Sequence, residues 1–437
     1  MSGFSDFLTN FNGGVNIDGS FNDLMSSAII VPSFNTSYGH INDGFIFLSN
    51  MLIQFSGTNF TSYPLTTTTS PYYFKFPIDT SNNFIPYIVN VSTCVNSTNY
   101  SPVPKVNLNN PWSGSSFKTL NALFTGTNHP ANITWFSIGP KPTTPIYTNT
   151  SNFTALRSIA INETGQIQYL CDGSTIKKNS SYGYGSWTTL NIGSSSNSEY
   201  WLQITCSYSG KYVGACRNSS TDNYVLSIDY GLTWNYYNDT TFAASITCSN
   251  NGIFYIFAKN GYIYKRDSSR TLIDTLENTG NYILTNNTND YVYLVITNKI
   301  YRSKNDSSFN LIYTAESGNN FIEMATNRTG QYLAVCGGSS GVYISSDYGD
   351  SFSLKFTTNS TLKSITSNST GEYLSVATTT LPDGGIYYSR DYGETWNKTN
   401  APNISYSDNS KISMNSNGNI ATLTTPTNVY VSFNACN

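Results

Sequence analysis

Charge is what this chain lacks most. Only 11% of its 437 residues are Asp, Glu, Lys or Arg, and the formal net charge is -3, against roughly a quarter charged in an ordinary soluble domain. No basic run occurs, which argues against a nucleic acid partner. Histidine occurs only at His40 and His129, so the C-terminal two thirds have no His-based metal site and no histidine base. No stretch approaches the roughly 18 apolar residues of a membrane span. Met1-Ser2-Gly3-Phe4-Ser5-Asp6 lacks the basic start and apolar run of a secretory signal. Synthesis in a cytosol without membrane insertion is therefore expected. Phosphate-cradling and dinucleotide fingerprints are missing too. The seven cysteines form no disulfide framework. Cys171, Cys216 and Cys336 share one repeat position and Cys206 and Cys248 another, and equivalent sites in different repeats are normally too far apart to bridge. They are expected to act as small apolar residues, with Cys94 and Cys436 left over. Neither metal nor cofactor is expected.

Polar neutral residues and aromatics fill the place of charge. Asn, Ser and Thr dominate, with 34 Tyr and 24 Phe, a load suited to β surfaces and sugar-binding faces. Asn-x-Ser/Thr sequons recur, among them Asn35, Asn59, Asn132, Asn162, Asn218, Asn305 and Asn368. About this many arise by chance in such a composition, and their glycosylation is an open question at this point.

One short phrase returns seven times. Its apolar anchors are Ile159, Ile204, Ile246, Ile283, Met324, Ile365 and Ile412, spaced 45, 42, 37, 41, 41 and 47 residues apart. Three residues after each anchor stands Asn or Ser. Six after stand Gly165, Gly210, Gly252, Asn289, Gly330, Gly371 and Gly418, and eight after stand Ile167, Tyr212, Phe254, Tyr291, Tyr332, Tyr373 and Ile420. A period near 42 means repeated supersecondary units. In the sixth unit, Ser364 to Ser367 reads as a strand, Asn368-Ser369-Thr370-Gly371 as a turn, Glu372 to Val376 as a second strand and Ile386 to Ser389 as a third, with a fourth after Trp396. Four short antiparallel strands per roughly 40 residues make one propeller blade. Seven anchors imply seven blades, with six or eight as the alternatives. The last unit has no room for an outer strand before Asn437, and Pro145-Ile146-Tyr147-Thr148, running toward Phe153, is the candidate replacement. Closure matters because an open blade exposes an unpaired edge.

A more specific motif links the third and fourth strands. It reads Ser227-Ile228-Asp229-Tyr230-Gly231-Leu232-Thr233-Trp234, returns from Ser345 through Asp347 and Gly349 to Phe352, and again from Ser389 through Asp391 and Gly393 to Trp396. Weaker copies span Asn179 to Trp187, Lys265 to Leu272 and Ser303 to Phe309. The Asp suits capping of backbone N–H groups in its own turn, the Gly a left-handed backbone, and the Trp or Phe a cover for the hairpin. The motif resembles the Asp-box of sialidases and many other propellers. That resemblance implies turns on the outer hairpin of each blade, with these Asp residues structural.

Residues 1 to 141 lack the repeat. Residues 1–40 are rich in Gly, Asn and Ser and read as an anchoring arm. Within 41–141, Met51 to Gly57, Phe74 to Pro77, Pro86 to Val91 and Trp135 to Gly139 follow one another in an order that resembles the receptor-binding tip domain of phage tail fibres, with Phe55 where that family usually has Trp. The resemblance implies a small β-sandwich, often trimeric, on a virion surface. A plain β-sandwich linker is the alternative. The expected architecture is thus all-β: an N-terminal β-sandwich-like domain followed by a seven-bladed β-propeller over 142–437.

A sialidase reading requires three converging arginines, one of them in an aromatic-Arg-Ile-Pro segment. Here Leu156-Arg157-Ser158-Ile159 stands in that place without Pro, and Arg217, Arg266, Arg270, Arg302, Arg328 and Arg390 are scattered through the repeats. Paired carboxylates are scarce. The expected function is a non-enzymatic virion surface protein, made in a host cytoplasm. Its N-terminal part would anchor it or form a homotrimer, and its propeller would bind a host glycan or another capsid protein. A propeller-based assembly factor and a sialidase-like hydrolase are the alternatives. The ligand face is expected on loops between second and third strands and between blades, at Arg217, Asp222, Tyr236, Tyr237 and Asp383, which look exposed.

Overall fold

A computed structural model of the chain describes backbone strands within residues 29–140, and residues 145, 147–193, 200–217, 223–238, 242–276, 282–316, 318–337, 341–379, 384–399, 410–432 and 435. The elements are all β, with no helix among the described residues. Two compact units divide the chain, the second holding residues 142–437.

In the first unit, a five-stranded sheet has the order Ile29–Ser33, His40–Leu48, Met51–Tyr63, His129–Pro140, Ile88–Val95. Three of the four pieces singled out in the sequence lie in it: Met51 to Gly57 and Ile88 to Val91 both pair with the strand that carries Trp135 to Gly139. The fourth, Tyr72–Lys75, pairs with Ser116–Leu120 in a separate small sheet. The edge strand Ile29–Ser33 comes from within the expected arm. The side chains of this unit, Cys94 included, lie outside the described residues.

The second unit is a seven-bladed β-propeller. Six four-stranded antiparallel sheets follow in order from Leu156 to Lys398. Their innermost strands are Leu156–Ile161, Trp201–Cys206, Ala243–Cys248, Tyr282–Thr285, Phe321–Thr326 and Leu362–Ser367, here blades 1 to 6. Blade 7 runs from Lys411–Met414 through Ala421–Thr424 to Asn428–Ser432, and its outer strand is Thr148–Asn152, pairing Thr148 with Val431 and Asn152 with Asn428. The ring is therefore closed by the segment preceding the first anchor, as the sequence predicts.

Burial follows position within the blade. The second strands Val213–Arg217, Phe254–Ala258, Leu333–Gly337 and Leu374–Thr378 are buried at every residue, because neighbouring blades cover both faces. The outer strand Arg270–Thr275 is mostly exposed. All seven anchors are buried. Clusters of apolar side chains cement adjacent blades, as where Tyr169, Cys171 and Ile176 of blade 1 meet Trp201, Ile204 and Val213 of blade 2. Cys171, Cys216 and Cys336 are buried free thiols on second strands, and Cys206 and Cys248 are also free.

The repeated phrase is a turn with a fixed wiring. The Asn or Ser three after each anchor accepts the backbone N–H of the residue five further on, or four further on in blade 3. The seven bonds run from Ile167 to Asn162, Tyr212 to Ser207, Ile253 to Ser249, Tyr291 to Asn286, Tyr332 to Asn327, Tyr373 to Asn368 and Ile420 to Asn415, at 3.0–3.2 Å. All seven acceptor residues are buried. Asn162 and Asn368 are consequently not open to glycosylation in the folded chain. The residue six after the anchor has positive φ in every blade, including Asn289 at 57°. Glycine there has a second cause, since a Cβ on Gly418 would lie 2.4 Å from the Tyr373 ring of the preceding blade.

Candidate functional site in the central channel

An innermost strand has an inner edge with no further strand to pair, so its N–H groups need other acceptors. Side chains of the preceding blade supply them. The residue just before each anchor forms one layer: Ser158, Gln203, Ser245, Tyr282, Glu323, Ser364 and Lys411. Ser158 Oγ accepts the N–H of Ile204, Gln203 Oε1 that of Ile246, Ser245 Oγ that of Ile283 and Ser364 Oγ that of Ile412, at 3.0–3.2 Å. The residue just after the anchor repeats the device in two blades, with Thr247 Oγ1 accepting from Thr285 and Thr366 Oγ1 from Met414.

Blades 4, 5 and 7 depart from this pattern and place large side chains in the layer. Lys411 Nζ donates to Glu323 Oε2 at 2.5 Å, linking blades 7 and 5 past blade 6. Burial pushes the Glu323 carboxyl up, against the opposing pull of Lys411. Burial also holds the Tyr282 hydroxyl well above its usual range, reinforced by the charge of Glu323. A raised hydroxyl pKa is the opposite of what activates a tyrosine nucleophile.

At the end formed by the turns, the residues four after the anchors form a collar: Glu163, Tyr208, Asn250, Asn287, Arg328, Ser369 and Ser416. Backbone N–H groups donate to carbonyls of the next blade from Glu163 to Tyr208, Asn250 to Asn287, Asn287 to Arg328, Arg328 to Ser369, Ser369 to Ser416 and Ser416 to Glu163, at 2.7–3.3 Å. The last bond joins blade 7 to blade 1. The collar surrounds a cavity of about 200 Å³ that all seven blades line. Its two charged side chains are Glu163 and Arg328. Arg328, from blade 5, lies 5.3 Å from the centroid of the Tyr208 ring in blade 2.

The eight-residue turns stand on the same face, outside the collar. Ser227 Oγ donates to Asp229 and accepts the N–H of Gly231, while Asp229 accepts both the N–H and the hydroxyl of Thr233. Ser345, Asp347, Gly349 and Ser351 repeat this wiring, as do Ser389, Asp391, Gly393 and Thr395. Trp234 and Trp396 each donate their indole N–H to the glycine carbonyl of their own turn, and Phe352 packs on Tyr313. The Thr233 hydroxyl and N–H hold Asp229 below the usual carboxylate range. At Asp347 and Asp391 burial pulls upward, but the bonds from Ser351 and Thr395 outweigh it and leave both lowered. These carboxylates are spent on their own backbone.

The tyrosine before each glycine is unexpected. Tyr230, Tyr348 and Tyr392 all have φ near 60°, a conformation that costs a non-glycine residue about 1 kcal/mol or more. Their N–H groups donate to the carbonyls of Lys211, Gln331 and Glu372, which clips each turn onto the inner turn of its own blade. Of the weaker copies, Asn179 uses its amide where the others use Ser, accepting from Ser181 and Gly183. Asp267 accepts from Ser269 in a shorter hairpin, and Ser303 donates to the Ser307 carbonyl.

The expected ligand face does not assemble. Arg217 is not on an exposed loop: it ends a second strand paired to Trp201, is fully buried, and stacks 4.7 Å over that indole. Tyr236 and Tyr237 belong to the outer strand Asn235–Tyr237 rather than to a loop. Tyr237 stacks on Tyr224 at 5.1 Å and beneath Arg266, and Tyr236 donates to the Gly193 carbonyl. Strand pairing ran further than turn-rich composition suggested. Asp222 and Asp383 lie outside the described residues. The propeller arginines are dispersed over different rings, Arg157 on Tyr200, Arg270 on Tyr264, Arg302 on Tyr291 and Arg390 on Tyr388. The two channel layers were missed, although both are visible as columns once the repeats are aligned on their anchors.

Comparison with solved structures agrees with this architecture. A structure of YCF48 bound to a D1 peptide superposes with a TM-score of 0.52 at 11% identity, over 67% of this chain and 97% of that one. The β-propeller domain of Cps50 (Swd1) from Myceliophteria thermophila superposes at 0.51 and 11% identity, over 65% and 99%. The shared feature is the β-propeller. At such identity the likeness extends to the fold alone. No family model and no curated protein matches the chain.

Proposed function

We propose that this chain is a non-catalytic recognition protein of a virion surface, whose N-terminal sheets anchor or trimerise it and whose propeller binds a partner at the collar end of the channel. The observation that carries the reading is the collar itself. Six backbone bonds between blades tie the collar residues together at a cavity that all seven blades line, an arrangement suited to recognition without chemistry. Around it, the carboxylates of the eight-residue turns serve their own turns, as in Asp-box propellers. The tip-like strand order of the first unit and the sparse charge of the chain motivate the virion setting.

The decisive experiment asks whether the full chain bands with particles in a density gradient at a fixed copy number, and whether it turns over a panel of fluorogenic glycosides. Co-banding without turnover is the expected result. A chain found only in the soluble lysate favours an assembly factor instead, a reading to which the peptide held by YCF48 lends support. Turnover of any glycoside refutes the non-catalytic reading.

A further inference from the structure

The collar leaves one cation uncommitted. The Arg328 guanidinium makes no ion pair or hydrogen bond among the described residues, and its contact is the Tyr208 ring, 5.3 Å away on a blade across the channel. Arg328 is exposed and Tyr208 half-buried, so the guanidinium is held over the opening with its N–H edge available. A fixed guanidinium of this kind matches a carboxylate in two parallel hydrogen bonds. The Ser416 hydroxyl oxygen, on the same rim, has no hydrogen-bond partner, and a ligand hydroxyl would satisfy it. Both groups point to a ligand that brings an anion and further polar atoms.

The rest of the rim narrows its class. The collar's backbone groups are largely consumed by the bonds between blades, so an incoming peptide strand finds no row of free N–H and C=O groups to extend. What remains are the side chains of Asn287, Ser369 and Ser416, a neutral amide and two hydroxyls lining the cavity, which match sugar hydroxyls. Glu163 on the same rim repels a second negative charge, which disfavours sulfated or multiply anionic ligands.

We infer that the collar binds a sugar bearing a single carboxylate, a hexuronic acid or a related acidic sugar, with Arg328 on the carboxylate, Tyr208 positioning the guanidinium, and Asn287, Ser369 and Ser416 on the hydroxyls. The inference rests on the recognition reading above. It places the ligand on the face of the turns, not on the loops between second and third strands.

The test uses the full chain and three probes in saturation-transfer NMR: methyl glucuronide, methyl glucoside, and the blocked tripeptide acetyl-Gly-Asp-Gly-amide. The glucuronide is expected to bind, the neutral glucoside to bind roughly ten-fold more weakly or not at all, and the peptide carboxylate to bind no better than the glucoside. Arg328→Gln and Tyr208→Ala each reduce glucuronide binding by about ten-fold, Arg328→Lys retains part of it, and Tyr208→Phe restores it, while thermal midpoints stay at the wild-type value. Added salt weakens the glucuronide signal. Equal binding of glucuronide and glucoside, no glucuronide binding, preference for the peptide, or an unchanged affinity in Arg328→Gln overturns the assignment. Glycan-array binding that survives Arg328→Gln sinks this site and leaves the recognition reading standing, whereas wild-type chain that binds no glycan and no particle component sinks both.

Discussion

Replacing Glu323 by Met while Lys411 stays in place measures how far the channel interior is withdrawn from water. The pair is close, 2.5 Å between Nζ and Oε2, with 8% of the Glu323 side chain and 25% of the Lys411 side chain exposed. Breaking a buried pair from one side costs about 3–5 kcal/mol, because the surviving charge loses its partner but not its desolvation. The partial exposure of Lys411 places the expected loss at the lower end, about 3 kcal/mol. Lys411→Met behaves differently. Glu323 is already pushed upward by burial, and without the ammonium it escapes by taking up a proton. A carboxyl whose folded pKa lies above its unfolded value binds protons more tightly in the folded state, so stability is greatest below the ordinary Glu value of about 4.3 and falls as pH rises through the raised value. The loss in Lys411→Met is therefore smaller near about pH 5 than near about pH 8. The double variant, with two apolar side chains of similar length, lies within about 1 kcal/mol of wild type. Urea unfolding followed by tryptophan fluorescence at both pH values gives the midpoints and slopes needed. A loss under about 1 kcal/mol in Glu323→Met, or single losses that simply add in the double variant, refutes the claim that the two charges are desolvated together.

Two further outcomes are expected. The carboxylates of Asp229, Asp347 and Asp391 are held below their usual range, so their contribution is present above the ordinary Asp value and is lost as pH falls through the lowered folded values; the triple Asn variant shows a flatter acid limb of thermal midpoint against pH than wild type, and identical limbs contradict this. Gly418→Ala, with φ +75° and a Cβ 2.4 Å from the Tyr373 ring, lowers stability by about 2–3 kcal/mol in urea titration, whereas Asn289→Gly at the same position of blade 4 changes it by under about 1 kcal/mol.

Much of the fold was legible because its signals are local. The Asn or Ser three after the anchor, the left-handed residue at six and the cap of the eight-residue turn all act within a few residues of themselves, so each repeat states its own turn. Agreement among seven copies then removes the ambiguity that any single copy carries. Even the borrowed strand Thr148–Asn152 followed from a missing piece in blade 7. The ligand face was not legible. Arg217 looked like a loop residue because a polar stretch follows it, yet pairing with Trp201 carries the strand through it and the neighbouring blades cover it. The left-handed tyrosines were hidden for a related reason, since the bond that stabilises each one comes from a carbonyl on another turn of the blade.

What this sequence determined by itself is the unit: strand lengths, turn types, the buried anchor and the number of copies, all products of bonds between near neighbours in the chain. What only the tertiary structure decided is which residues face one another across the channel. Glu323 and Lys411 are 88 residues apart, and Arg328 reaches Tyr208 from three blades away. No spacing rule in one repeat encodes such meetings, because they exist only after seven units have closed and each inner edge has been turned toward a common axis.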